Sequence, residues 1–116
     1  MNVDDAIRAH AQWKIKLTAY LSNPDGSLNP VEIGQDNRCE LGKWIYGDAT
    51  KHTHLPEMAA VKTSHAEFHR AAADVVRKID SGTERDQNKL TGLSSPFGTA
   101  SNKIVNQLKA LAAKIG

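Results

Sequence analysis

Five histidines and a single cysteine carry the ligand chemistry of this sequence. His65 and His69 are four residues apart, so on a helix their rings leave one face a turn apart and can meet one ion from the same side. His10 falls on an apolar stripe where leucine would be expected, and His65 falls on another. An imidazole taken out of water costs on the order of 1–3 kcal/mol unless it finds a partner, so two inward histidines imply hydrogen bonds or a shared ligand. Cys39 lies in the first turn of a short predicted helix, where unpaired amides and the helix dipole lower a thiol's pKa and favour the thiolate a metal needs. If the helices bearing them pack together, His10, Cys39, His65 and His69 offer three nitrogens and one sulfur, a full tetrahedral set for Zn2+. Four protein ligands leave no open position, which points to a structural or regulatory site rather than a hydrolytic one.

Each of these residues also has a plainer role. A lone buried cysteine is usually an inert small hydrophobe, and a histidine on an apolar face is usually a hydrogen-bonded core residue. His52 and His54 lie in a polar stretch and are expected to be solvated. His65-Ala-Glu67-Phe-His69 is not the zinc-protease pattern, which needs glutamate directly after the first histidine. Trp13, Trp44 and Phe68 read as core anchors that would also exclude water from a metal. Three functions therefore stand side by side. The first is a zinc-binding regulatory module, the second a metal-free helical interaction bundle, and the third a three-histidine zinc hydrolase with Cys39 uncoordinated. The hydrolase lacks an evident general base, and metal analysis separates the first from the second.

The elements that must position these side chains are all helical. Val3, Ile7, His10, Lys14, Leu17 and Leu21, widened by Ala6, Trp13 and Tyr20, predict a first helix over about residues 3–22. The Pro- and Gly-containing segment from Asn23 to about Gln35 reads as a loop, with Val31 and Ile33 pinning it to the core. Asp36 and Asn37 are candidate caps for a short helix over Arg38–Tyr46, with Gly47 suited to a left-handed end. After Leu55-Pro56 the seam Met58, Val61, His65, Phe68, Ala72, Val75 and Ile79 predicts the clearest helix, ending at Asp80-Ser81-Gly82. A weaker helical stretch covers Thr83–Leu93, and Phe97, Ser101, Ile104, Leu108, Leu111 and Ile115 form a last seam. The expected fold is all-α: an antiparallel four-helix bundle of three long helices plus a short one carrying the cysteine.

Composition narrows the partners. The 116 residues fit one domain, with no room for a second core. A net charge of +2 with scattered basic residues gives no reason to seek nucleic acid, and no stretch is long and apolar enough for direct membrane insertion. A lone cysteine and an N-terminus without signal-peptide features point to a cytoplasmic setting. Ala6, Ile45, Val76 and Val105 are left over from the seams and are expected to form a second apolar face suited to a homodimer.

Three motifs resemble the chemoreceptor zinc-binding (CZB) family of bacterial signalling proteins. His10-Ala-Gln-Trp13 is similar to that family's His-x-x-Trp. Cys39-Glu-Leu-Gly42-Lys-Trp44-Ile is similar to its Cys-x-Leu/Phe-Gly-x-Trp element, and His65-Ala-Glu-Phe68-His69 to its His-x-x-Phe-His. The resemblance extends over nearly the whole chain, with Ser94-Ser-Pro-Phe97-Gly and the seam after it similar to the closing helix. It implies a helical bundle binding zinc through His10, Cys39, His65 and His69, acting in a dimer, and coupling zinc occupancy or oxidation of Cys39 to signal transduction. The partner so implied is a chemoreceptor of chemotaxis or a diguanylate cyclase. Neither a signalling hairpin nor a cyclase domain is present here, so the chain is expected to be a fragment or a free-standing member signalling through another protein.

Overall fold

The structure, a computed structural model, describes residues 3–47, 51 and 54–115. Among them the chain forms helices α1 (Val3–Ser22), α2 (Pro30–Ile33), α3 (Glu40–Tyr46), α4 (Pro56–Ser81), α5 (Gln87–Thr91) and α6 (Pro96–Ile115), and no strand. The all-α helical bundle expected from periodicity is what the chain builds. Among the described residues no helix is long and apolar enough to cross a membrane.

Helix α4 is the spine. Pro56 stands in its first turn, where a missing amide hydrogen costs no intrahelical bond. Gly82 takes a left-handed conformation at the other end (φ 70°), and the amides of Gly82 and Thr83 close on the carbonyls of Ile79 and Lys78. Its predicted seam, Met58 through Ile79, is buried throughout. Phe97, Ile104, Leu108 and Leu111 of α6 are buried too; Ala100 takes the inward place expected of Ser101, and the side chain of Ile115 lies outside those described.

Helix directions follow from contacts at both ends. The His10 ring lies 5.1 Å from that of His65, and Tyr20 Oη donates to Asp80 Oδ1 at 2.6 Å, so α1 and α4 run parallel. Phe97 and Ala100 share a groove with Ala71 and Val75, while Lys103 reaches back to Glu67 (3.5 Å), so α6 is antiparallel to α4. The expected antiparallel order thus describes α4 and α6. The parallel pair is possible because residues 23–55 are long enough to return the chain along the bundle, carrying α2 and α3 as they go.

Several local expectations change. Lys14 is exposed, because the buried face of α1 runs through Ala6, His10, Leu17 and Tyr20. Asn29 and Pro30 start a one-turn helix inside the predicted loop; Ile33 packs on the core, whereas Val31 is 64% exposed. Cys39 itself caps α3, in place of Asp36 or Asn37, and Gly47 (φ −116°) is not left-handed. Asp86 and Gly92 confine the weak helix to α5. Ala6, Ile45 and Val76 are buried and Val105 half-buried, all within or against the single apolar core, so the second apolar face assembled from them does not exist.

Candidate metal centre

Three helices deliver four donor atoms to one point. His10, His65 and His69 each offer one ring nitrogen and Cys39 its sulfur, and these four atoms lie within 4.8 Å of one another. His65 Nε2 is 3.1 Å from Cys39 Sγ and 3.0 Å from His69 Nε2, and the sulfur is 3.6 Å from His69 Nε2. Zinc bond lengths of about 2.0–2.1 Å to nitrogen and about 2.3 Å to sulfur give tetrahedron edges of about 3.3 Å (N to N) and about 3.6 Å (N to S). The donors of Cys39, His65 and His69 already stand close to edge distance, and that of His10 lies within 4.8 Å of them.

In two of the rings the second nitrogen shows which atom is free. His10 Nδ1 donates to the Ala6 carbonyl one turn earlier (2.7 Å), and His69 Nδ1 donates to the Ile33 carbonyl (2.9 Å). A carbonyl only accepts, so both rings keep their hydrogen on Nδ1 and present an Nε2 lone pair. His10 Nε2 is buried without a hydrogen-bond partner, an arrangement that is costly unless something electrophilic sits there. The donor set fits Zn2+, with buried neutral imidazoles, one sulfur and no fourth position for water.

Electrostatics keep the rings neutral. Burial lowers His10, His65 and His69 below the ordinary imidazole value, His65 to about 3, where repulsion from His69 and His10 adds to burial. The expectation for Cys39 is reversed. The Gly42 amide does donate to its sulfur (3.4 Å), but burial outweighs that and holds the thiol above its usual value.

Phe68 stands with its ring edge-on to His10 (centroids 5.0 Å) and packs on Phe97 (5.3 Å). Trp44, half-buried, lines a surface cleft with His10 and Cys39. Trp13 is half-buried farther along α1, under the Lys16 ammonium (4.7 Å). His54 is exposed and His52 lies outside the described residues. Glu67 faces α6 through Lys103. Two contributors escaped the sequence reading. One is the Ile33 carbonyl, since a one-turn helix has no period to read. The other is the role of Gly42, whose place in the cysteine motif was its only signal.

A Cβ at Gly42 would lie 1.9 Å from the Asp36 carbonyl oxygen and 2.9 Å from Asn37 Cα. Only glycine lets α3 lie against this backbone, and the Tyr46 hydroxyl, donating to Asp36 Oδ2 (2.7 Å), ties the same turn at its far end. Gly42→Ala is expected to cost about 1–3 kcal/mol through overpacking, read as a lower urea midpoint, and to displace Cys39. An unchanged midpoint would show that the turn yields freely.

Fold and donor set define a helical domain built around a three-histidine, one-cysteine centre. The family model described as the chemoreceptor zinc-binding domain matches residues 10–76, more than half of the chain, and the chain belongs to that family of zinc-binding domains. Neither a curated protein nor a solved structure matches the chain.

Proposed function

We propose that residues 1–116 act as one sensory unit in which His10, Cys39, His65 and His69 hold a single Zn2+ and report its presence, or the oxidation state of Cys39, to a bacterial signalling partner. The observation that carries this reading is the convergence of four donor atoms within 4.8 Å, with the opposite nitrogens of His10 and His69 committed to carbonyls. Bound zinc would supply a crosslink between α1, α4 and the turn preceding α3. With all four positions filled by side chains it would activate no water, so the domain regulates rather than catalyses.

Cys39 is the redox-reactive member. It is half-buried at a cleft lined by Glu40 and Trp44, and sulfur is the one donor of the four that a two-electron oxidant converts to a sulfenic acid, a poorer ligand. Its release would free α3 to shift. Phe68 packs against the imidazoles, and Trp44 walls the cleft. The proposed setting is the bacterial cytoplasm, whose reducing conditions suit a lone thiol. The proposed partner is a chemoreceptor of the chemotaxis machinery or a diguanylate cyclase, engaged as a homodimer. Because Ala6, Ile45 and Val76 lie in the core, such an interface must draw on exposed apolar residues such as Ile15.

Metal analysis of untagged protein tests the reading. About one zinc per chain is expected, lost on a Cys39→Ala substitution under competing chelator. Absence of zinc would favour a metal-free bundle, and zinc-dependent hydrolysis would favour an open three-histidine centre.

A further inference from the structure

We infer that Asn29 is a positioning residue for His69, acting through the one-turn helix α2; this rests on the zinc reading above and deepens it. Asn29 Oδ1 accepts from the amides of Val31 (2.9 Å) and Glu32 (3.4 Å), and Pro30 supplies a preset φ at the first helical position. The turn closes with Ile33 N on Asn29 O and Gly34 N on Pro30 O, both 3.0 Å. Its last residue then offers the Ile33 carbonyl to His69 Nδ1 at 2.9 Å.

Helix α2 cannot hold this shape by itself. A single turn lies below the length at which helices propagate, and none of its residues is buried. Its order depends on the cap and on contact with α4. A Cβ at Gly34 would stand 3.5 Å from that of Ala73, one turn beyond His69, which places the carbonyl beside the ring. Asn29 therefore sets where the acceptor lies, without touching the centre.

The three imidazoles differ in this respect. His10 takes its acceptor from its own helix, from Ala6, and needs no tertiary support. His65 has no acceptor on Nδ1. His69 alone among them relies on a segment far away in sequence. If the Ile33 carbonyl is lost, the His69 hydrogen is free to move to Nε2 and donate to His65 Nε2 (3.0 Å) or Cys39 Sγ (3.6 Å), a tautomer that cannot ligate through the nitrogen facing the centre.

The test compares Asn29→Ala with Asn29→Asp in the full chain, using chelator competition with zinc and ring nitrogen shifts of His69 in metal-free protein. Asn29→Ala is expected to weaken zinc binding about tenfold and to move His69 away from the pure Nδ1–H tautomer, while Asn29→Asp, which keeps the accepting oxygen, stays within about twofold. Far-ultraviolet dichroism should hold in both, since α2 contributes no buried residue. Equal losses in the two variants, affinity unchanged in Asn29→Ala, or an unaltered His69 tautomer would each overturn the inference. The ring measurement uses no metal, so a wild-type chain that bound no zinc would sink the functional reading and leave the Asn29 to His69 link to be judged separately.

Discussion

Cys39→Ala is expected to weaken zinc binding roughly 100- to 1,000-fold, whereas His54→Ala leaves it unchanged. A structural zinc site contributes on the order of 10–16 kcal/mol, so one donor of four is worth about 3–4 kcal/mol, a factor in that range. Sulfur also supplies the only negative charge among the four donors. Among the described residues no carboxylate joins the cluster, so none of them replaces that charge when the thiol is gone. Water can fill the vacated position, yet three neutral nitrogens hold a divalent ion less tightly than three nitrogens and a thiolate. Competition with a chromophoric chelator measures the change directly. His54 is exposed and outside the cluster, and so controls for nonspecific histidine binding. Affinity retained to within a few-fold in Cys39→Ala would show that sulfur is a bystander and revive the three-histidine centre.

The reach of the sequence can be judged from particular residues. Every residue of the predicted α4 seam is buried because seven positions in regular three-and-four steps along a 26-residue helix overdetermine which face turns inward, although Ser64, Ala73 and Val76 beside it are buried as well. The same seam placed His65 inward, and spacing placed His69 beside it. What periodicity cannot convey is how helices are ordered in space. Nothing in residues 23–55 announces that α1 and α4 run parallel, nor that α2 would bring the Ile33 carbonyl to His69. The same blindness explains the unfound second face. Ala6, Ile45 and Val76 look superfluous on isolated helical wheels, yet close packing of several helices buries more than one stripe on each.

The sign of the Cys39 shift shows a different gap. A position at a helix start argues for a thiolate, and the Gly42 amide does act that way. The opposing contribution, burial by residues distant in the chain, His65 and His69 among them, prevails. Local rules gave the correct interaction and the wrong balance. Zinc binding must therefore displace a proton that an exposed cap cysteine would already have partly lost.

That proton can be counted. Zinc uptake near pH 7.5 should release about one proton per ion, from Cys39, because the three imidazoles have already shed their extra proton whereas the thiol still carries its own. Affinity should then rise about tenfold per pH unit while the thiol remains protonated. Calorimetric titration in buffers of different ionisation enthalpy reads the number; release near zero would mean a preformed thiolate, and release that grows towards pH 6 would mean histidines that are not held neutral. The same shifts govern the metal-free protein. In the unfolded chain the histidines titrate near 6.5, and in the fold they do so lower, His65 at about 3. As pH falls below about 6.5 the unfolded state takes up protons the native state refuses, so stability drops, by up to about 1.4 kcal/mol per pH unit for each histidine that the fold keeps unprotonated. Cys39 acts in the opposite direction: with its pKa raised by folding, its contribution is whole below the unfolded thiol value and is lost as pH climbs through the native one. Urea midpoints in chelator should accordingly be highest between about pH 7 and pH 8 and fall steeply towards pH 5. A flat profile through that acid range would mean that the three imidazoles accept protons as readily in the fold as outside it.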